Sequence, residues 1–177
     1  PIELIDEKGI KTKNNHFDLL YDRKSNNNFW VDIRNYNEVN NIFKKIKPDI
    51  VFHLAAQPSV LESYKSPLET FETNIIGTAN VINSARQVGS VKSLVVITSD
   101  KCYENKEWIY PYKENDRLGG FDPYSSSKAC AELVTSSLRN IYHLENEKIR
   151  ITSARAGNVI GGGDWTADRL IVDLVEA

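Results

Sequence analysis

The 177-residue sequence contains no methionine, only two cysteines and almost no net charge. With 22 Lys and Arg against 24 Asp and Glu the net charge is −2, so the broad basic surface that binds nucleic acid or an anionic membrane is missing. No apolar run approaches the roughly 20 residues that a transmembrane helix needs. We therefore expect neither a nucleic-acid partner nor a membrane partner.

The two cysteines, Cys102 and Cys130, can form at most one disulfide. Residues 1–13 lack the apolar core of a signal peptide, so we expect two reduced thiols in a cytoplasmic protein. Because the chain opens on Pro1 and contains no methionine, we also expect it to be part of a longer protein.

Apolar segments alternate with segments whose apolar residues share one helical face. The first 28 residues are polar and predict an irregular arm or loop. The predicted strands are 29–33, 50–55, 93–98 and 149–154, and the predicted helices are 35–47, 68–88, 123–143 and 169–177. This alternation, with unbroken apolar strands, is typical of a parallel sheet covered on both faces, the doubly wound α/β class.

Polar residues follow each predicted strand, at the sheet edge where α/β proteins bind ligands. They are Asp32-Ile33-Arg34, Ala55-Ala56-Gln57, Ser99-Asp100-Lys101 and Gly157-Asn158. Because parallel strands end at one edge, we expect these groups to converge on one crevice. A loop of about twenty residues follows the third strand, and loops of this length in compact domains are usually functional. We expect its aromatic residues to pack onto their own domain.

Tyr124 and Lys128 lie four residues apart at the start of a predicted helix, which places them on one face. A tyrosine with its ordinary pKa near 10 is a poor base at neutral pH, and a neighbouring ammonium favours the phenolate. Together with the Ser99 hydroxyl, the pair is typical of general acid–base chemistry. An exposed Tyr and Lys without a catalytic role produce the same spacing, so the pair alone leaves both interpretations open.

No metal site is predicted. The three histidines fall on unrelated elements, without a cysteine or carboxylate at metal-binding spacing.

Several motifs together resemble the extended short-chain dehydrogenase/reductase superfamily. They are VDIR at 31–34, HLAA at 53–56, TNIIGT at 73–78, TSD at 98–100 and YSSSK at 124–128. The runs TSDKCYENKEW at 98–108 and AGNVIGGGDW at 156–165 resemble, more narrowly, NAD-dependent nucleotide-sugar 4,6-dehydratases of the branch that acts on CDP-glucose. The resemblance implies that residues 29–177 form part of a Rossmann-like NAD-binding domain carrying the catalytic residues.

The resemblance implies a role for each catalytic residue. Tyr124 would take the proton of the sugar 4-hydroxyl while C4 gives a hydride to NAD. Lys128 would lower the pKa of Tyr124 and hold the nicotinamide ribose, and Ser99 would hydrogen-bond the reacting oxygen. Asp100 and Lys101 would supply the acid and the base that remove water across C5 and C6, before the hydride returns to C6. Lys101 stands where related 4,6-dehydratases have a glutamate, and a lysine acts as a base only when neutral.

The resemblance also implies binding residues. Those for NAD are Asp32 and Ile33 at the adenine, Leu54, Ala55 and Ala56 beside the ribose and pyrophosphate, and Asn74, Thr98, Tyr124 and Lys128. Those for the sugar nucleotide are Gln57, Asn158 and Arg169. Asn74 fits a purely structural hydrogen-bonding role equally well. Helices 68–88 and 123–143 would form a homodimer interface.

The glycine-rich turn with which such folds begin is missing, because Gly9 is the only glycine before Gly77. We therefore expect this chain to lack the first strand–turn–helix unit and most of the C-terminal substrate domain of a longer enzyme. Two alternatives stay open. One is an epimerase or reductase of the same superfamily, which would not need Asp100 and Lys101. The other is a non-catalytic module that binds a nucleotide weakly or binds only a partner subunit.

Overall fold

The computed structural model describes residues 28–144, 148–161 and 170–177. Apart from Asn28, the predicted arm lies outside the described residues. In the described part three parallel strands, β1 (Ile50–His53), β2 (Ser93–Ile97) and β3 (Arg150–Ala154), form one sheet in the order β1-β2-β3. The described α-helices are α1 (Tyr36–Ile46), α2 (Val60–Lys65), α3 (Pro67–Phe71), α4 (Gly77–Val88), α5 (Pro123–Leu144) and α6 (Leu170–Glu176). The parallel sheet with helical crossovers confirms the predicted α/β class.

The three strands are aligned so that their carboxyl ends meet at one edge. His53 of β1 pairs with Val96 of β2, and Ile97 of β2 pairs with Ala154 of β3. The segments that follow the strands therefore begin side by side, as ligand-binding segments of α/β proteins do.

The core lies between the sheet and the helices. Leu94 and Val96 of β2 are fully buried there, because alternate residues of a strand point to the same face. The core cluster also includes Val39 and Phe43 of α1, Val81, Ile82 and Ala85 of α4, and Ile151 of β3. On the opposite face of β1, Ile50 and Phe52 are 59% and 65% exposed among the described residues.

The predicted helix at 35–47 is confirmed, with both ends capped. The side chain of Asn35 accepts a hydrogen bond from the backbone N–H of Glu38, the usual N-cap arrangement. At the other end Lys47 has a φ of 53°, and its N–H donates to the carbonyl of Phe43. These caps end the helix where the apolar periodicity ends.

The predicted strand at 29–33 is wrong beyond Phe29, which forms a single bridge. Asn80 of α4 donates to the carbonyls of both Ile33 and Arg34, at 3.0 Å each. The Asp32 carboxylate accepts the backbone N–H of Arg34 at 2.8 Å. These polar groups are therefore held by a turn and by a helix side chain instead of a strand ladder.

The predicted helix at 68–88 is interrupted by one π-helical turn, Glu72–Ile76, between α3 and α4. Gly89, with a φ of 68°, ends α4 in the left-handed conformation that glycine adopts without strain. The connection before this helix contains α2, which the sequence pattern did not indicate. Single π turns occur frequently at functional sites.

Helix α5 begins at the predicted Asp122-Pro123 pair. The Asp122 carboxylate accepts the backbone N–H of Ser125 at 2.9 Å and its hydroxyl at 2.6 Å. Proline in the first turn loses no intrahelical hydrogen bond, because that N–H has no helical acceptor. None of the helices in the described ranges combines the length and the apolar character required to cross a membrane.

Candidate active site

Strands β2 and β3 remain paired beyond their ends, and this pairing places Ser99. The backbone N–H groups of Thr98 and Asp100 donate to the carbonyls of Ala154 and Ala156, both at 2.9 Å. Ser99 is extended and buried, and a 3₁₀ turn, Asp100–Cys102, follows it. The strand end therefore holds Ser99 inside the protein and turns the chain outward immediately after it.

The Ser99 hydroxyl organises this turn. It accepts the backbone N–H of Lys101 at 3.2 Å and donates to a carboxylate oxygen of Asp100 at 3.1 Å. The side chains of Asp100 and Lys101 are exposed. The structure thus brings together a buried hydroxyl, an exposed carboxylate and an exposed amine within three consecutive residues.

Tyr124 and Lys128 are both buried on the first turns of α5, with 9% and 7% of their surfaces exposed. Lys128 Nζ donates to the carbonyl of Ile97, the last residue of β2, at 3.4 Å. Burial lowers the pKa of Lys128 to about 8, so the ammonium form still predominates at neutral pH. Lys128 therefore contacts the strand two residues before Ser99, and the shared role of Ser99, Tyr124 and Lys128 stays a prediction.

Asn74, in the π-helical turn, joins the segment after β1 to α5 from a buried position. Its side-chain oxygen accepts the backbone N–H of Gln57 at 2.8 Å. Its amide nitrogen donates to the carbonyl of Gln57 at 3.0 Å and to the Ser127 hydroxyl at 2.8 Å. The Ser127 hydroxyl in turn donates to the carbonyl of Tyr124 at 2.7 Å. Asn74 thereby fixes the helix turn that carries Tyr124 and Lys128.

His53 extends this buried polar network toward the sheet. Its Nε2 lies 3.0 Å from the Thr78 hydroxyl, which donates to the Asn74 carbonyl at 2.7 Å. Burial, with a smaller contribution from the Lys128 charge, lowers the pKa of His53 to about 4. His53 is therefore neutral at physiological pH, and only one positive charge is placed here.

A second buried cluster centres on Glu132, one helical turn beyond Lys128. Its carboxylate accepts the hydroxyls of Thr98 and Ser153 and the guanidinium of Arg155. Burial opposes ionisation of Glu132, but the hydrogen bonds from Arg155, Thr98 and Ser153 outweigh it and hold its pKa below the usual range. This cluster was not predicted from the sequence, in which only the i, i+4 spacing links Glu132 to Lys128.

The residues predicted to bind NAD lie at different depths. The Asp32 carboxylate pairs with the guanidinium of Arg34 at 2.5 Å, and the Ile33 side chain is buried in the core. After β1, Leu54 is exposed whereas Ala55 and Ala56 are half-buried. Ile33 can therefore contact a ligand only through its backbone. The assignment of Asp32, Ile33, Leu54, Ala55 and Ala56 to NAD binding stays a prediction.

The residues predicted to bind substrate are not all brought together. Gln57 is half-buried, and its side chain donates to Thr70 at 2.8 Å and accepts the Ser59 N–H at 2.5 Å. Asn158 is exposed in the segment after β3. Arg169 lies outside the described residues. No group of three or more His, Cys, Asp or Glu side chains in the described part is placed to hold a metal ion.

The aromatic residues of the long loop pack on one another, whereas the sequence analysis expected them to pack onto the rest of the domain. Tyr103 stacks on Tyr112 with ring centroids 5.0 Å apart, and Trp108 lies 5.7 Å from Tyr112. Tyr103 also bridges to Leu118, which ties together the two ends of the loop.

The fold is a parallel sheet with helical crossovers. A tyrosine and a lysine lie one turn apart on a helix that packs beside a serine at a strand end. These features define a Rossmann-fold domain of the short-chain dehydrogenase/reductase type. Within that class, the chain belongs to the GDP-mannose 4,6 dehydratase family, whose model matches residues 5–159.

Two similar relatives come from Salmonella. Over 150 residues the chain is 51% identical to the CDP-glucose 4,6-dehydratase of Salmonella typhimurium, covering 82% of this chain and 42% of that protein. It is 31% identical over 142 residues to the CDP-paratose 2-epimerase of Salmonella typhi, covering 71% of this chain and 42% of the epimerase. The chain thus spans less than half the length of these relatives.

Solved structures share the fold. MoeE5, solved in complex with UDP-glucose and NAD, superposes with a TM-score of 0.71 at 25% identity over 84% of this chain and 46% of its own. A UDP-galactose 4-epimerase superposes with a TM-score of 0.70 at 28% identity and the same coverage. These likenesses agree with the predicted Rossmann-like fold.

Proposed function

We propose that the protein carrying this chain is an NAD-dependent dehydratase that converts CDP-glucose to CDP-4-keto-6-deoxyglucose. The main support is the meeting of buried Tyr124 and Lys128 with Ser99, Asp100 and Lys101, in a chain 51% identical to a CDP-glucose 4,6-dehydratase. Asp100 and Lys101 favour a dehydratase over an epimerase, because an epimerase has no water to eliminate.

The described residues fit one end of a dinucleotide. Lys128 presents its ammonium at the end of β2, beside the carbonyl of Ile97. The small side chains of Ala55 and Ala56 follow β1 and allow close approach to the backbone. Lys128 and Tyr124 would hold the nicotinamide ribose, and Leu54 to Ala56 would lie along the adjoining ribose and pyrophosphate. When bound, NAD accepts a hydride from the sugar C4 and later returns it to C6.

In the first half of the proposed reaction, Tyr124 as phenolate takes the proton of the 4-hydroxyl. Lys128 stabilises the phenolate as a neighbouring cation, in a site where both groups are buried and charge interactions are stronger than in water. Ser99 hydrogen-bonds the same sugar oxygen. Asn74 keeps this helix turn in place through Ser127.

In the second half, water leaves across C5 and C6. Asp100 in its protonated form gives a proton to the departing 6-hydroxyl, and Lys101 in its neutral form takes the proton from C5. One proton is given and one is taken, so this step releases one water molecule. Both side chains are exposed, so neither is shielded by the described residues.

Turnover of CDP-glucose tests this proposal. With NAD present, the full-length protein is expected to form a 4-keto-6-deoxy sugar, detected by its ultraviolet absorbance in alkali. Tyr124→Phe removes the base and is expected to lower kcat by at least 10³-fold, within the range that general acid–base groups contribute. Full activity in Tyr124→Phe contradicts the assigned base, and an epimerised product without loss of water contradicts the dehydratase.

A homodimer formed through α3, α4 and α5 belongs to the same proposal. Large apolar side chains are exposed on α3 and α5, including Leu68 at 75%, Leu133 at 59% and Leu144 at 80%. Burying them against a second copy would remove apolar surface from water. Sedimentation equilibrium of the full-length protein is the measurement, and a monomer at micromolar concentration contradicts it. The cytoplasmic location stays a prediction.

A further inference from the structure

Glu132 and Arg155 form a buried ion pair where α5, the ends of β2 and β3, and the long loop meet. Arg155 Nη2 lies 3.2 Å from Glu132 Oε2, and the two side chains are 16% and 6% exposed. The same carboxylate accepts the hydroxyls of Thr98 and Ser153. One side chain of α5 is therefore bonded to residues of both neighbouring strand segments.

Arg155 also contacts the loop, at two separate points. Its Nη1 donates to the carbonyl of Glu114 at 3.0 Å. Its guanidinium lies 4.7 Å from the centroid of the Tyr103 ring. Tyr103 also stacks on Tyr112. A planar guanidinium carries several donors in a fixed fork, so it can hold the helix carboxylate and the loop at the same time.

Glu132 and Arg155 both lie next to the strand end that carries Ser99. Thr98, which donates to Glu132, immediately precedes Ser99. Ala154 and Ala156, on either side of Arg155, accept the backbone N–H groups of Thr98 and Asp100. Arg155 therefore lies opposite Thr98, the residue before Ser99, in the paired segments. Glu132 shares one face of α5 with Tyr124 and Lys128.

We propose that Glu132 and Arg155 are positioning residues that fix the loop at 103–118 and the Ser99–Lys101 segment relative to α5. This proposal deepens the proposed function and rests on it for its catalytic consequence. Asp100 and Lys101 have exposed side chains, so their orientation depends on the backbone that carries them. The step most sensitive to the pair is the elimination of water, not the oxidation at C4.

Arg155→Lys separates positioning from charge pairing. A lysine keeps the charge for Glu132, but one ammonium cannot also reach the Glu114 carbonyl and cover the Tyr103 ring. We expect a melting temperature near that of the wild type, a kcat at least tenfold lower and a KM for CDP-glucose within threefold. Absorbance at 340 nm should build up in the variant, because oxidation continues while elimination slows. A wild-type kcat in Arg155→Lys overturns the proposal.

Hydrogen exchange supplies a test that needs neither substrate nor cofactor. Tyr103→Leu leaves the ion pair and the bond from Arg155 to the Glu114 carbonyl intact but removes the contact of the guanidinium with the ring. Amides at 103–118 should then exchange at least tenfold faster while those of α4 are unchanged. Tyr110→Leu is the matched control, because Tyr110 belongs to the same loop and is 67% exposed.

The two proposals fail in different ways. Unchanged loop exchange in both Tyr103→Leu and Arg155→Lys overturns the positioning role, whatever the wild-type protein does to CDP-glucose. Faster loop exchange in a protein whose wild type forms no 4-keto sugar supports the positioning role and overturns the proposed function.

Discussion

The two halves of the candidate site differ in how the fold holds them. Tyr124, Lys128 and Ser99 are buried and lie on α5 and the end of β2, which are joined by the hydrogen bonds of Lys128 to the Ile97 carbonyl and of Thr98 to Glu132. Asp100 and Lys101 are exposed and share one short turn, held chiefly by the Ser99 hydroxyl and by strand pairing. The buried half is held by contacts between several elements, whereas the exposed half is held by one short turn.

This difference has an energetic consequence. A buried ammonium favours a neighbouring phenolate strongly, because charge interactions are weakly screened away from water. The same burial penalises the ammonium itself, which is why the pKa of Lys128 falls to about 8. Residues of the buried half should therefore affect both stability and activity, and residues of the exposed half should affect activity alone.

Asn74→Ala should give the largest change in stability. The substitution removes three hydrogen bonds and leaves the backbone N–H and carbonyl of Gln57 without their partner. Each unsatisfied buried group costs about 1–3 kcal/mol, so we expect the free energy of unfolding to fall by about 4 kcal/mol. Denaturant unfolding of the full-length protein measures it. Asn140→Ala, on the exposed surface of α5, is the control and should change stability by less than about 0.5 kcal/mol. A loss as small as the control's would mean that Asn74 does not hold the buried half together.

Lys128→Met should raise stability while activity is lost. The penalty for burying the ammonium is about 1.36 kcal/mol for each unit by which its pKa falls, and the lost hydrogen bond to Ile97 costs about 1 kcal/mol. At pH 7 we therefore expect a gain of about 2 kcal/mol in the free energy of unfolding, with a kcat at least 10³-fold lower.

The stability gained by Lys128→Met should depend on pH, because the folded and unfolded chains bind the Lys128 proton differently. Between pH 8 and 10.5 the unfolded chain holds the Lys128 proton and the folded chain does not, so the stability of the wild type rises with pH. The advantage of Lys128→Met should therefore shrink across that range. Lys92→Met, at an ammonium 78% exposed and paired with Asp49, should show no such gain at pH 7. A gain that persists unchanged to pH 10 would contradict the burial of the ammonium as its cause.

Local signals in the sequence were sufficient for much of the fold. Helices α1 and α5 were predicted near their true bounds, because Asn35 and the Asp122-Pro123 pair mark their starts. The strand at 29–33 was wrong beyond Phe29, and Asn80, far along the chain, bonds the carbonyls of Ile33 and Arg34 at the end of this segment. Apolar alternation cannot reveal a competitor that only tertiary packing brings near.

The candidate site likewise contains residues that the sequence indicated and residues that it did not. The spacing of Tyr124 and Lys128 indicated one helical face, and the structure buries both and bonds Lys128 to the end of β2. Arg155 and Glu132 were missed because neither strand nor helix periodicity links them, and their contact depends on how β3 packs against α5. Asn74 has the structural hydrogen-bonding role considered from the sequence, and whether it also contacts NAD stays a prediction.

Asp100→Asn and Lys101→Met should give the smallest change in stability. Both side chains are exposed, and asparagine can still accept the Ser99 hydroxyl, so each change should stay within about 0.5 kcal/mol. Activity should behave differently, because neither replacement can exchange a proton with the sugar. We expect formation of the 4-keto-6-deoxy product to fall at least 100-fold in each variant.

Oxidation at C4 should continue in these two variants, because Tyr124, Lys128 and Ser99 are unchanged. Absorbance at 340 nm should therefore persist after CDP-glucose is added, in contrast to Tyr124→Phe, where none should develop. A loss of the 340 nm signal in Asp100→Asn would mean that Asp100 takes part in the oxidation at C4. The two halves of the site would then not serve separate steps. Full product formation in Lys101→Met would mean that another residue is the base at C5. It would not affect the acid role of Asp100.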